Sequence, residues 1–306
     1  MLNMIESGER SKKGSIGSAN TKRNHTIDVF DKQGRPPDKW RCINMINKVD
    51  LNCDMGESFG LYKFGNDEIA VKYITAANVA CGFHAGDPTT MKKTVDLLKK
   101  HRIAIGAHPG LPDILGFGRR VMAISAEDAR NYIIYQVGAL KAFVEAAGLT
   151  LHHVKPHGAL FKLSKFDDVL ARAILEGIKA VDPGLLVYCP GPLWLFKYET
   201  QAKELGLRVV AEFYADLDYA PDGQLETSKL LSHEDRAIDI ARCVEKVLRY
   251  LREGRVMKTD GNELEFEAKS ICIHGDTPNA GELIKTLQEK LEKAGIQIVP
   301  VKGILQ

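Results

Sequence analysis

The residues best suited to chemistry in this sequence fall into six short clusters: Asn52, Asp54 and Glu57; Asn78, His84 and Asp87; His108; Lys155 and His157; Glu212 and Asp216; His274 and Asp276. Carboxylates, imidazoles and a lysine in this mixture suit acid–base or metal-assisted hydrolysis. A carboxylate that shares a pocket with such groups can have its pKa tuned toward neutrality, which makes Asp54 the first candidate for a base or a metal ligand; a structural loop cap is the alternative. Asn52 and Glu57 flank it and are expected to orient water or substrate, with a solvated loop position as the competing reading of Glu57. His84, His108 and His157 are candidates for acid, base or metal ligand. Asp54, His84 and His108 are the expected metal set, and histidines bonded to loop carbonyls are the bland alternative, because the spacing is far looser than HExxH.

An ammonium at a buried strand end is costly without a carboxylate partner or an anionic ligand. Lys155 is therefore expected to bind an anionic substrate group or a phosphoryl group, an ion pair with Glu212 or Asp216 being the alternative. Asp54, His84, Lys155 and His157 form the expected catalytic set, and Asn52, Glu57, Asn78, Asp87, Arg119, Glu212, Asp216 and His274 the expected substrate-binding set. Arg119 and Arg120 follow a glycine-rich turn and can clamp an anion, although loop arginines more often make surface ion pairs. Asp276, with Pro278 close behind, reads as the cap of the last helix. His101, His152, His153 and His233 are placed at the periphery, and Cys53 and Cys81 as apolar fillers.

The elements that would position these groups follow from the alternation of short β-type runs with longer amphipathic segments, the pattern of a parallel sheet wrapped by helices. The expected strands are Val49–Cys53, Ile74–Ala80, Ile103–Ala107, Leu151–Lys155, Leu185–Cys189, Arg208–Phe213 and Ser270–Ile273, and all but the fifth run into one of the clusters. In a closed parallel barrel every strand ends on one face, where active sites are assembled, so one polar pocket is implied. Asp87 and Pro88 open a helix through Leu98, Ser125 and Asp128 resemble a capping box, and apolar residues from Ala280 to Ala294 keep helical spacing. Asp260 and Gly261 mark a hairpin between Val256–Thr259 and Glu263–Ala268.

A chain of 306 residues at 44% hydrophobic can bury one large core. Residues 47–306 are read as that domain, and residues 1–46, polar and net basic, as a disordered extension, with Met45 as an alternative start. A net charge of +2 gives no concentrated basic face for a nucleic acid. No apolar run is long enough to span a membrane. The six cysteines are widely scattered with no CxxC pair, which fits reduced thiols in the cytoplasm.

Five motifs in order make the chain similar to the LamB/YcsF family of 5-oxoprolinase subunits: DLNCDMGE at residues 50–57, NVACGFHAGDP at 78–88, GAHPGLPDILGFGRR at 106–120, HVKPHGAL at 153–160 and HGDTP at 274–278. The resemblance implies an α/β fold, a seven-stranded (β/α) barrel of glycoside hydrolase/deacetylase type. It also implies ATP-coupled hydrolysis of 5-oxo-L-proline (5-oxoproline) to L-glutamate alongside two partner subunits. No G-x-x-x-x-G-K-[ST] loop occurs to hold a triphosphate, so ATP is expected to be handled through the complex. By analogy with barrel deacetylases, which set an Asp and two His on a divalent metal, a divalent metal is a second expected cofactor. The sequence departs from the family at Leu217 and Ser228, where cations are usual, and at Gly110 and Leu111 in place of Ser and Tyr. Those departures keep two other readings open: a stand-alone metal-dependent amidase or deacetylase acting on a carbohydrate or another lactam, and a non-catalytic scaffold.

Overall fold

A computed structural model describes residues 46–191, 193–227 and 238–305, and in it seven short barrel strands alternate with helices. The expected N-terminal extension through residue 45, Ser228 and His233 lie outside the described residues. The strands are β1 (Lys48–Met55), β2 (Ala76–Ala80), β3 (Ala104–His108), β4 (His153–Val154), β5 (Leu186–Pro190), β6 (Arg208–Tyr214), β7 (Arg255–Met257), β8 (Glu263–Glu265), β9 (Ser270–Ile273) and β10 (Gln297–Ile298). β1, β2, β3, β4, β5, β6 and β9 pair in that order, all parallel, and β9 pairs back onto β1, which closes a seven-stranded barrel. Val49 to Met55 and all of β2 and β9 are buried, as expected where a parallel sheet is covered on both faces.

The helices are α1 (Asp67–Ala70), α2 (Pro88–His101), α3 (Ala126–Ala146), α4 (Gly158–Phe166), α5 (Asp168–Val181), α6 (Leu193–Leu205), α7 (Ile240–Glu253) and α8 (Ala280–Lys293). Asp87 caps α2 by accepting from the Thr89 and Thr90 amides, with Pro88 in the first turn where no donor is missed. Ser125 and Asp128 form the full reciprocal capping box of α3. Ala280, Leu283, Ile284, Leu287 and Leu291 bury one face of α8, about 1.5–3 kcal/mol for each large side chain.

Two expectations change in detail. β4 is shorter than Leu151–Lys155, although His152 N to Ile105 O and Lys155 N to Ala107 O, each 2.8 Å, extend its bonding to either side; Pro156, without an N–H, ends it. β10, which sequence reading did not foresee, pairs with Lys48 and Val49 of β1 beside the point where β9 takes over at Asp50. The hairpin forms as the antiparallel pair β7 and β8.

Candidate active site

Period-two alternation decides which side chains enter the barrel. On β1 the alternate residues Asp50, Asn52 and Asp54 are all buried, and the registers set Asp50 beside Ser270, Asn52 beside Cys272, and Asp54 beside Asn78, in turn beside Gly106 and His153. At the floor, Asp50 accepts from Thr75 Oγ1 (2.7 Å), Tyr188 OH (3.2 Å) and Ser270 Oγ. Burial pushes its carboxyl up to about 6, partly offset by these bonds. One layer higher, Asn52 Nδ2 donates to Glu212 Oε1 (2.9 Å) and Ser270 Oγ (2.7 Å), and Asn78 Nδ2 donates to Asn52 Oδ1 (2.7 Å) and Asp54 Oδ1 (2.8 Å). With Asn78 Oδ1 an acceptor, His153 Nε2 must be the donor across 2.7 Å. A Cβ on Gly106 would sit 2.1 Å from that nitrogen, so the glycine makes room for the ring.

Toward the mouth, Lys155 Nζ donates to Asp54 Oδ1 (3.0 Å) and Cys272 Sγ (2.8 Å) and stands 3.6 Å from Glu212 Oε1. Burial opposes its charge, but Asp54, Cys272 and Glu212 together raise its pKa well above the usual lysine value. Burial likewise opposes the charge on Asp54, and His108, Lys155 and His274 outweigh it, holding the carboxyl well below the carboxylate range. Asp54 is thus not tuned toward neutrality as the sequence suggested; the carboxyl pushed strongly upward is Glu57, by burial and then by the charges of Asp54 and Asp276.

Three imidazoles from three strand ends meet beside this pair. His108 Nδ1 donates to the Lys155 carbonyl (2.6 Å) and His157 Nε2 to the Phe117 carbonyl (2.7 Å), because a carbonyl can only accept. Each neutral ring then carries its lone pair on the opposite nitrogen, and those nitrogens, His108 Nε2 and His157 Nδ1, lie 2.9 Å apart. Burial lowers both pKa values, that of His108 to about 4, so both rings are neutral. Two lone pairs at that distance repel each other unless a cation lies between them. Two ligands each about 2.0–2.1 Å from one metal ion fit such a separation. His84, 1% exposed, stacks on His157 at 3.9 Å, has no hydrogen-bond partner for either ring nitrogen among the described residues, and stands 3.5 Å from Glu57 Oε1. Glu57, His84, His108 and His157 each offer a ligand atom within 4.8 Å of the others, so this cluster can hold a metal ion. His84 and His108 of the expected metal set are in it; Asp54 lies beside it, 3.6 Å from His108 Nε2. Phe117, whose carbonyl fixes the His157 tautomer, takes φ +52, a conformation costly for a non-glycine residue.

A cavity of about 360 Å³ opens over these groups and is lined by Asp54, His108, Arg119, Lys155, His157 and His274 at its polar end. Leu217 and Leu225 form part of its apolar side. His274 Nδ1 donates to Asp216 Oδ2 (2.8 Å), whose charge raises the imidazole pKa against the effect of burial. Asn52, Asn78 and Glu212 lie beneath the cavity and hold Asp54 and Lys155 instead of lining it. Asp87 is spent on α2 and on the Gly60 amide (3.0 Å) and does not line the cavity. Asp276 does not cap α8, whose N-cap is Asn279; it pairs with Arg119 Nη1 at 2.9 Å. Arg120 pairs with Asp113 as a loop ion pair. His153 is fully buried inside the barrel, not peripheral. His153, Tyr214, Cys272 and Asp50 were the groups missed. Each lies two residues from a group that was found, and that alternation was the available signal.

A model of the LamB/YcsF family matches residues 49–306. The chain is 47% identical over 260 residues to a 5-oxoprolinase subunit from Pyrococcus furiosus, covering 85% of this chain and 100% of that one. The crystal structure of a lactam utilization protein from Thermus thermophilus superposes with a TM-score of 0.73 at 43% identity, over 82% of this chain and 99% of that one. A candidate cellobiose-phosphate cleavage protein from Enterococcus faecalis shares the fold alone, with a TM-score of 0.51 at 11% identity over 84% of this chain and 98% of that one.

Proposed function

Because the chain belongs to the LamB/YcsF family, we propose that it is the lactam-opening subunit of a 5-oxoprolinase, acting on the cyclic amide of 5-oxo-L-proline. The observation that carries the reading is the meeting of Glu57, His84, His108 and His157 beside the Asp54–Lys155 pair under one cavity. Relatives named as subunits imply further subunits. Two partners that handle ATP would supply the coupling energy that a stable five-membered lactam requires, since this sequence has no phosphate-binding loop.

Opening the ring needs water delivered to the carbonyl carbon and a proton delivered to the ring nitrogen. His274, protonated more readily because Asp216 holds its Nδ1, is positioned to give the proton from its other nitrogen. Asp54 and Lys155 keep a fixed dipole at the cavity floor, held from below by Asn78 and Glu212. A divalent cation on Glu57, His84, His108 and His157 would add Lewis-acid charge at the carbonyl and make a water more acidic.

The test is reconstitution with partner subunits and measurement of glutamate release from 5-oxoproline with and without ATP. ATP-dependent release supports the assignment. The same His and Glu cluster supports a second reading, a stand-alone metal-dependent amidase; turnover without ATP that chelation abolishes would select it. No helix among the described residues is long and apolar enough to cross a membrane.

A further inference from the structure

The lysine expected to bind the substrate's anionic group is already committed. Lys155 is buried against Asp54, the Cys272 thiol and Glu212, and its charge is committed to the two carboxylates. A substrate carboxylate entering the cavity must find another cation.

We propose that Lys162, together with Arg119, forms the carboxylate clamp of the cavity and selects lactams that carry an acidic group next to the ring nitrogen. This rests on the 5-oxoprolinase reading and deepens it. Both side chains line the cavity from different elements, Arg119 from the loop after β3 and Lys162 from the second turn of α4. Side chains on a helix lean toward its N-terminus, which directs Lys162 back to the mouth of β4, where Lys155 and His157 stand. Its Nζ donates to the Thr227 hydroxyl at 2.6 Å, and no carboxylate pairs with it among the described residues. Asp222, the cavity carboxylate nearest in sequence to Thr227 apart from Glu226, is turned to the amide and side chain of Gln224. Arg119 is anchored by Asp276 at 2.9 Å and lies over the Phe117 ring at 4.8 Å, which fixes its guanidinium in place. Burial, followed by the charge of Arg119, lowers the Lys162 pKa. The second of these causes puts the two cations within electrostatic reach of each other.

A clamp of this kind makes charge-assisted bonds that a neutral lactam cannot make. The experiment compares 5-oxo-L-proline with 2-pyrrolidinone, the same ring without its carboxylate, by calorimetric titration of the full chain. Lys162→Met should weaken 5-oxoproline binding by roughly tenfold or more, leave 2-pyrrolidinone unchanged, and be largely rescued in Lys162→Arg. Wild-type affinity for 5-oxoproline in Lys162→Met, an equal loss on both ligands, or no binding of 5-oxoproline by the wild-type chain would each overturn the clamp. Turnover by the reconstituted complex separates the two ideas. A higher KM at nearly constant kcat supports the clamp; an unchanged KM defeats it while the hydrolase assignment stands. Lys162-dependent binding with no glutamate release keeps the clamp and removes the hydrolase.

Discussion

The floor and the mouth of the barrel are both polar and both buried, yet they are built on opposite principles. At the floor every polar group of the Asp50 layer has a partner: Thr75, Tyr188 and Ser270 give their hydroxyl protons to one carboxylate. At the mouth the histidines are held from outside by carbonyls and left bare on the inside, with two lone pairs 2.9 Å apart and His84 unpartnered among the described residues. Buried polar groups cost free energy unless bonded. A satisfied layer therefore repays its burial within the fold, whereas an unsatisfied one is built for something that arrives from solution. The two layers are separated by little more than Asn52 and Asn78, whose amides pass the hydrogen bonding from one to the other.

The contrast breaks most visibly if a mouth residue proves structural. His157→Ala should reduce glutamate release by roughly 10²–10⁴-fold, while the melting temperature moves by no more than about 4 °C, since of its two ring-nitrogen contacts one is between lone pairs. Full activity in the variant would remove His157 from the site. The floor should respond in the reverse sense. Asp50→Ala strands the buried Tyr188 and Ser270 hydroxyls, takes the shorter of its two acceptors from the half-buried Thr75, and should cost about 3 kcal/mol, read as the shift of a denaturant midpoint, with turnover of the folded fraction nearly intact. The pH dependence carries a sign of its own. Because burial lifts Asp50 from 3.8 to about 6 in the folded state, the native protein holds that proton more tightly than the unfolded chain. Its contribution to stability is therefore greatest below about pH 4 and falls, by about 3 kcal/mol at most, as pH rises to about 6. Asp50→Asn should abolish that slope, and an unaltered pH profile would mean the carboxyl titrates alike in the folded and unfolded chain.

A divalent cation sharpens the comparison from the other side. If the bare nitrogens of the mouth await a metal, zinc or manganese at about 100 times its dissociation constant should stabilise the protein by about 2.7 kcal/mol, seen as a rise in melting temperature. The rise should vanish in His84→Ala and survive in Asp50→Asn. Identical shifts in all three proteins would show that the ion binds elsewhere.

How much of this was legible in the sequence differs between the two layers for the same reason. The mouth could be read because its residues sit at strand ends beside glycines, in clusters such as His84–Gly86 and His274–Gly275 that interrupt apolar runs. The floor could not, because Asp50 and Ser270 each look like the polar edge of a strand until the barrel closes and sets β9 against β1. His153 alternates with Lys155 on the expected strand Leu151–Lys155, so its inward face was legible, and Gly106 on the neighbouring strand leaves the room for its ring. Charge state was illegible throughout. Asp54 is held down by His108 and Lys155, both far along the chain, while burial and the Asp54 charge push Glu57 up.

The smallest expected effect probes a group that belongs to both kinds of layer. His274 faces the cavity as mouth residues do, yet its Nδ1 is satisfied by Asp216 as floor residues are. The carboxylate raises the imidazole pKa, so the proton available to a leaving ring nitrogen is present below the raised value and is lost as pH rises through it. Asp216→Asn keeps the shape and an acceptor oxygen for Nδ1 but removes the charge. The alkaline limb of the kcat profile should then move to lower pH, with turnover at pH 7 down by about threefold to tenfold and little change in KM. A profile that stays in place while kcat falls would make Asp216 a prop for the loop after β6, whose contact with the His274 amide at 3.0 Å it also provides. In that case His274 would no longer be the proton donor, and the residue bridging the two layers would belong with the floor.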